Sequence, residues 1–309
     1  MQRLTLAGGI PDNLRGAIVA LGNFDGFHLG HQAVVGRSIQ RGFHERRPVI
    51  VATFDPHPVR FFKPDVAPFR LTTLDQREAL FAHAGADAML VFEFDKTLCI
   101  TSAEDFVDDV LAQQIGVAGV VTGDDFTFGR ARKGNVETLR TLGQASGIVA
   151  EAVAPVALGD LRISSGRIRE ALQAGDTATA TKLMSRDYAI QGVVQAGDKR
   201  GRELGYPTAN IALGDYLRPR YGIYAVRATL ADGSEHPGVA SLGVRPTFDP
   251  PVELLETHLF DYSGDLYGQK IEVALHAFIR DEKKFDDIGA LVAHMREDEA
   301  RARTLLALD

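Results

Sequence analysis

The chain has 309 residues, 45% apolar and 24% charged, an ordinary globular balance that can bury one large or two medium cores. Its net charge of −7 argues against a general binder of nucleic acid or anionic membrane, which would need a basic excess. Anionic small molecules stay open, because a site needs only local arginines. The single cysteine, Cys99, can neither close an internal disulfide nor build a zinc site of cysteine type, which fits a reducing compartment. MQRLTLAGGIPDN lacks an apolar signal region and no apolar run of about 20 residues occurs, so a soluble, cytoplasmic protein is expected.

In chain order, AIVAL (17–21), PVIVATF (48–54), DAMLVFEF (87–94), GVAGVVTG (116–123) and IVAEAV (148–153) are continuous apolar runs, the pattern of strands covered on both faces. Amphipathic segments lie between them. LDQREALFAH (74–83) is one, and another starts at Thr101 with Glu104 three residues on, a capping-box start. Such alternation predicts an α/β domain with a parallel, doubly wound sheet, whose ligands sit beyond the carboxyl ends of the strands. Past residue 186 the rhythm changes. VVQAG, PTANIAL, GIYAVRATL, PGVASLGV, ELLETHLF and QKIEVALHAFI are β-rich runs parted by glycine and proline, and a helical pattern returns only over 285–307. Closely spaced strands with one terminal helix predict a small antiparallel barrel. The boundary is placed near SRDYAIQG, giving domains 1–185 and 186–309.

The first informative motif is LGNFDGFHLGHQ (21–32), where a buried strand runs into a helix. Gly22 and Gly26 permit a tight turn and close approach to a ligand. A helix starting near His28 offers free N–H groups and its positive dipole end to an anion. His28 and His31, three apart, share a helix face, so both imidazoles can meet one phosphate chain and steady charge on departing pyrophosphate. Taken alone, the histidine pair reads equally as a chance surface pair or a metal ligand pair. In DDFTFGRARKG (124–134), Phe126 and Phe128 beside Arg130, Arg132 and Lys133 suit a flat ring bearing a phosphate, or else a solvated basic loop. In ISSGRIR (163–169), Ser164 and Ser165 can cap a helix and donate to phosphates, with Arg169 as a charge clamp.

GNFDGFHLGH resembles the GxFDGxHxGH signature of the nucleotidyltransferase superfamily. TFDPHP (53–58), DDFTFGRARKG and ISSGRIR are similar to later motifs of one member family, the bacterial bifunctional riboflavin kinase/FAD synthetases. That resemblance implies a Rossmann-like adenylyltransferase domain. Gly22, Asn23, Phe24, Asp25, Gly26, His28, His31, Ser164, Ser165 and Arg169 would bind ATP there, and His57, Asp125, Phe126, Phe128 and Arg130 would bind FMN. One departure stands at Gly166, where the family carries Thr or Ser, so a hydroxyl donor gives way to a backbone N–H.

The second motif is AGDKRGRELGYPTAN (196–210). Gly197, Gly201 and Gly205 make a close-approach loop charged by Lys199, Arg200 and Arg202, without the G-K-[ST] ending of a Walker A loop. Thr208 and Asn210 alternate, so on a strand they share a face and can offer oxygens to Mg²⁺; a plain turn into a strand reads the same way. GRELGYPTAN, GIYAV, GVRPTF and ETHLFDYSGDLYG, in that order, resemble the riboflavin kinase domain, which implies a six-stranded antiparallel barrel with a terminal helix. By that resemblance Gly197, Lys199, Gly201, Arg202, Gly205, Pro207, Thr208, Asn210 and Arg245 bind ATP or riboflavin, Thr208 and Asn210 hold Mg²⁺, and Glu256 is the general base. Riboflavin, FMN and ATP are then the substrates, Mg²⁺ serves both activities, and neither nucleic acid nor membrane is a partner.

Overall fold

The computed structural model describes residues 1–159, 161–195, 205–245, 252–285 and 287–308. The chain divides into two compact units. One comprises Met1–Ala67 with Leu74–Ser164, the other Pro68–Thr73 with Ser165–Asp309.

The first unit is built on a six-stranded parallel sheet of β1 (Gln2–Thr5), β2 (Ile18–Leu21), β3 (Val49–Asp55), β4 (Ala88–Glu93), β5 (Gly119–Gly123) and β6 (Val149–Val153), in the order β1-β4-β3-β2-β5-β6. Alternate residues of the strands supply two cores. Val19, Leu21, Ile50, Ala52, Leu90 and Val120 face Phe106, Leu111 and Leu139 on one side. Ile18, Ala20, Val51, Met89 and Val121 face Val34, Val35 and Phe81 on the other. These last three come from helices α1 (Leu29–Glu45) and α3 (Leu74–Ala84). Strand β2 pairs with β3 and β5, so the turn leaving β2 lies where the strand order reverses, the crevice position of doubly wound sheets.

The five apolar runs are all strands, but the pattern overstates the cover of the last. β6 is an edge strand with Val149 60% exposed, because only β5 pairs with it. β1 escaped the apolar pattern, since QRLT exposes three of its four residues. The cap expected at Thr101 belongs to Ser102, whose hydroxyl accepts the Asp105 N–H at 2.9 Å. The Thr101 hydroxyl instead donates to the Thr97 carbonyl of the preceding turn.

A two-stranded antiparallel ribbon of β7 (Ala157–Leu158) and β8 (Leu161–Arg162) follows β6. The second unit is an antiparallel barrel. Its strands are β9 (Tyr188–Val193), β10 (Ala209–Ala212), β11 (Gly222–Thr229), β12 (Glu235–Arg245), β13 (Val252–Leu259) and β14 (Lys270–Arg280), in the order β10-β13-β12-β11-β14-β9. The Gln195 N–H donates to the Asn210 carbonyl at 2.9 Å, drawing the first and last strands of that order together. The first of these strands begins earlier than VVQAG suggested, with Tyr188 and Ile190 facing inward. Helices α7 (Ser165–Ala174) and α8 (Thr177–Met184) belong to this unit; the Arg220 N–H donates to the Leu172 carbonyl at 2.9 Å. The terminal helix, Ile288–Leu305, and its C-cap Leu306 pack Ala302 and Leu306 on Ala225 and Phe260. It is pinned by the paired Arg280–Asp298 hydrogen bonds at 2.8 and 2.6 Å.

Candidate active sites

In the first unit the backbone between β2 and α1 takes a conformation that costs free energy. Phe24 and Phe27 have φ of 51° and 38°, and Gly26 lies at 85°; left-handed backbone is unfavourable for bulky residues and persists only where packing imposes it. The packing is supplied by Phe81, whose ring meets Phe24 and Phe27 edge-on at 5.7 and 5.2 Å. Thr53 and Arg77, both fully buried, fix the other side. The Thr53 hydroxyl and the Arg77 guanidinium donate to the Asn23 carbonyl at 2.8 and 3.2 Å. Arg77 also donates to Thr53 at 2.8 Å.

This turn delivers His28 as the N-cap of α1. Its Nδ1 accepts the His31 N–H at 3.2 Å, so Nδ1 carries no proton and the neutral ring donates from Nε2. The two imidazoles stack with centroids 3.6 Å apart and planes 15° apart. Gly30 leaves the room: a Cβ there would lie 3.1 Å from His28 Cε1. Asp25, Gly26 and His28 are buried, while Asn23 is exposed. Phe24, 1% exposed, meets His31 edge-on at 5.3 Å and so anchors the turn. Among the described residues no cluster of three or more His, Cys, Asp or Glu could hold a metal.

The residues expected to take FMN spread along the same sheet edge. His57 caps α2 (Pro58–Phe62) through Nδ1, which accepts the Val59 N–H at 3.2 Å. Phe128 is buried against Phe106 and stacks at 5.9 Å on the half-buried Phe126. Asp125 pairs with Arg162 at 2.6 Å, and Arg130 is exposed. Ser164 closes the first unit, whereas Ser165 and Arg169 lie on α7 in the second. There the Arg169 Nε donates to the Phe69 carbonyl at 2.8 Å, with its guanidinium 5.2 Å from the Phe69 ring centre.

In the barrel, strand register gathers what spacing could not. Asn210 on β10 stands directly opposite Glu256 on β13, and Glu256 stands opposite Ser241 on β12. Directly opposed residues share a face, so the three form one row on the outside of the barrel, while Ile211, Leu255 and Leu242 fill the inside. Asn210 is 4% exposed, and its Oδ1 finds no hydrogen-bond partner among the described residues. A buried acceptor left in that state is costly unless a ligand completes it. With the Thr208 hydroxyl two residues before Asn210, just ahead of β10, the donors are oxygens, the type that Mg²⁺ takes; the residues fit that ion. His258, two residues beyond Glu256, donates Nδ1–H to the Pro207 carbonyl at 2.9 Å and so ties down the segment carrying Thr208. Gly205 has a φ of +83° that suits glycine. Gly197, Lys199, Gly201 and Arg202 lie outside the described residues, as does the side chain of Arg245. Behind the row Arg218 grips Glu253 at 2.5 Å and the Tyr221 hydroxyl donates to the same carboxylate. Arg218 holds Glu253 below the usual carboxylate range, and burial with Glu253 pushes the Tyr221 phenol up to about 12.

His258, Ser241, Thr53 and Arg77 were not singled out from sequence. The first lies inside the ETHLF motif. Nothing in an amphipathic LDQREALFAH pattern marks one arginine as buried.

A histidine-capped helix at the crevice of a parallel sheet, followed by a barrel bearing a hydroxyl, an amide and a carboxylate on neighbouring strands, defines a two-module nucleotide-dependent transferase. Residues 10–167 match the FAD synthetase family and residues 184–306 the riboflavin kinase family. A bifunctional riboflavin kinase/FMN adenylyltransferase of Pseudomonas fluorescens is 40% identical over 294 residues, 95% of this chain and 94% of that protein. Proteins of the same description from Escherichia coli K12 and Bacillus subtilis are 37% and 36% identical, over 95% and 93% of this chain and 94% and 91% of theirs. The chain belongs to the bifunctional riboflavin kinase/FMN adenylyltransferase family. A crystal structure described as a macrolide-efflux protein from Streptococcus pneumoniae shares the fold at a TM-score of 0.86 and 28% identity, covering 98% of this chain and 99% of that one. No helix among the described residues of this chain is long and apolar enough to cross a membrane.

Proposed function

We propose that residues 1–185 and 186–309 form the adenylyltransferase and kinase domains of a cytoplasmic enzyme, with the residues above in the following roles. The protein is a transferase with two activities. Its kinase phosphorylates riboflavin with ATP to FMN, and its adenylyltransferase joins AMP from a second ATP to FMN, giving FAD and pyrophosphate.

In the kinase, Glu256 accepts the proton of the ribityl 5′-hydroxyl as that oxygen attacks the γ-phosphorus. The Asn210–Glu256 register carries this reading, because it puts a base beside an unfilled oxygen donor on one face. Thr208 and Asn210 would hold Mg²⁺, which when bound neutralises charge on the triphosphate. His258 keeps that segment in place through Pro207. In the adenylyltransferase the FMN phosphate attacks the α-phosphorus in line, without a covalent intermediate. His28 and His31 donate to the phosphate oxygens and steady the charge that gathers on pyrophosphate. Buried Arg77 and Thr53 hold the turn that presents them, and Phe126 offers a ring surface to the flavin.

A time course with riboflavin, ATP and Mg²⁺, with the flavins separated by chromatography, tests the scheme. FMN should rise first and FAD should follow at its expense. FAD without a transient of FMN, or no phosphorylated flavin at all, contradicts it.

A further inference from the structure

The row Asn210–Glu256–Ser241 does not stop at Ser241. The segment after β14 brings Glu282 across β12, where the Ser241 hydroxyl donates to Glu282 Oε1 at 3.4 Å. Gly243, two residues along the same face of β12, makes this possible, since a Cβ there would overlap the Glu282 carboxylate. Glu256 is therefore flanked by two different chemistries on one face of the barrel. On one side stands a buried neutral oxygen, Asn210 Oδ1, without a partner among the described residues. On the other, one strand away or about 4.8 Å, stand a hydroxyl and a second carboxylate.

We propose that Ser241 and Glu282 form a hydroxyl-reading subsite for the polyol chain of the flavin substrate, which rests on Glu256 being the base of the kinase. The donor types sort the row. A triphosphate goes with a metal held by neutral oxygen donors, so ATP belongs on the Asn210 side. The uncharged substrate belongs on the Glu282 side. A ribityl chain carries a hydroxyl on each inner carbon, so a chain whose 5′-hydroxyl meets Glu256 lays its inner hydroxyls toward the next strand. Carboxylate oxygens accept hydroxyl hydrogens strongly, and Ser241 can donate to one hydroxyl or accept from another. A substrate lacking those hydroxyls leaves the subsite unpaired, which is how polar pockets reject deoxy analogues.

The test compares riboflavin with a flavin carrying a 5-hydroxypentyl chain, whose only side-chain hydroxyl is the terminal one, in the full-length protein. Wild type should prefer riboflavin in kcat/KM. Glu282→Ala and Ser241→Ala should lower kcat/KM for riboflavin by about ten- to a hundredfold, leave the analogue unchanged, and so collapse the preference. Glu282→Gln should restore part of it. Gly243→Ala, which displaces Glu282 without removing it, should act like Glu282→Ala. Unchanged phosphorylation of the analogue by each variant reports that the barrel is folded. Equal losses for both flavins, or a shift confined to the Mg²⁺ requirement, overturn the subsite. Loss of the preference in these variants while Glu256→Gln retains full kinase activity overturns the base assignment instead.

Discussion

His28 and His31 are stacked 3.6 Å apart, and the first accepts the backbone N–H of the second at 3.2 Å. One imidazole therefore serves both as helix cap and as neighbour of the other, so substitutions can separate the two roles. Asn is a good N-cap, and His28→Asn should keep α1 intact while removing the ring. FMN-to-FAD conversion should fall by about 10²–10³-fold, the range seen when a single charge-stabilising donor is lost. Riboflavin phosphorylation and the melting temperature should hold. His28→Ala should show the same catalytic loss together with about 1 kcal/mol of destabilisation. If His28→Asn leaves FAD formation untouched, the ring has no part in the transfer.

Gly30→Ala should pull stability and activity in opposite directions. Alanine favours a helix over glycine by up to about 1 kcal/mol, so unfolding should be unchanged or slightly harder. The new methyl would crowd His28 Cε1 and Nδ1, at 3.1 and 3.2 Å, and turn the ring off its partner. FAD formation should drop while FMN formation holds, measured as separate initial rates. Unaltered FAD formation would mean that the stacked geometry is dispensable.

Glu256→Gln keeps shape and removes basicity. Riboflavin phosphorylation should slow by about 10²–10⁴-fold in kcat, the usual reach of general-base assistance, and conversion of supplied FMN to FAD should continue. A kcat within a few-fold of wild type would reduce Glu256 to a positioning residue.

The Arg218–Glu253 pair gives the barrel an acid limit. Arg218 and the Tyr221 hydroxyl keep the folded-state pKa of Glu253 below its ordinary value of 4.5. The stabilisation is therefore present at neutral pH and above 4.5, and is lost as pH falls below that value through the folded pKa. Both side chains are partly exposed, at 23% and 32%, so the pair is worth under about 1 kcal/mol. Melting curves from pH 7 to pH 3 should show Glu253→Gln less stable at neutral pH and level with wild type at the acid end. Parallel curves would remove the pair from the acid response.

Much of the fold could be read from the chain because buried strands of a parallel sheet are uniform: IVAL, VIVATF and AMLVFE need no partner to be recognised. The failures share a cause. QRLT and VAEAV sit at sheet edges, where only tertiary pairing decides exposure. Thr101 and Ser102 are both competent caps, and the choice between them follows the turn before the helix. In the site, the histidines were legible because they are close in sequence and their chemistry depends on one helix end. Asn210, Glu256, Ser241 and Glu282 span more than seventy residues; the β10–β13–β12 register brings the first three together, and the segment after β14 adds Glu282. Arg77 was hidden by its own helix, whose charged pattern suggests solvent where the structure has a buried clamp on Asn23.

That register leads to a test of the metal that does not depend on turnover. Asn210 Oδ1 is buried and has no partner among the described residues, a condition that costs about 1–3 kcal/mol when nothing fills it. Leucine has the same branched heavy-atom skeleton and no polar atom. Asn210→Leu should therefore leave the free protein as stable as wild type or more so, while riboflavin phosphorylation is lost. Adding Mg²⁺ with ADP should raise the melting temperature of wild type, as any ligand selective for the folded state does. The part of that rise that requires Mg²⁺ should vanish in the kinase domain's transition for Asn210→Leu. An equal Mg²⁺-dependent rise in both proteins would place the ion away from Asn210, and a large loss of stability in the free variant would mean that the amide is already satisfied.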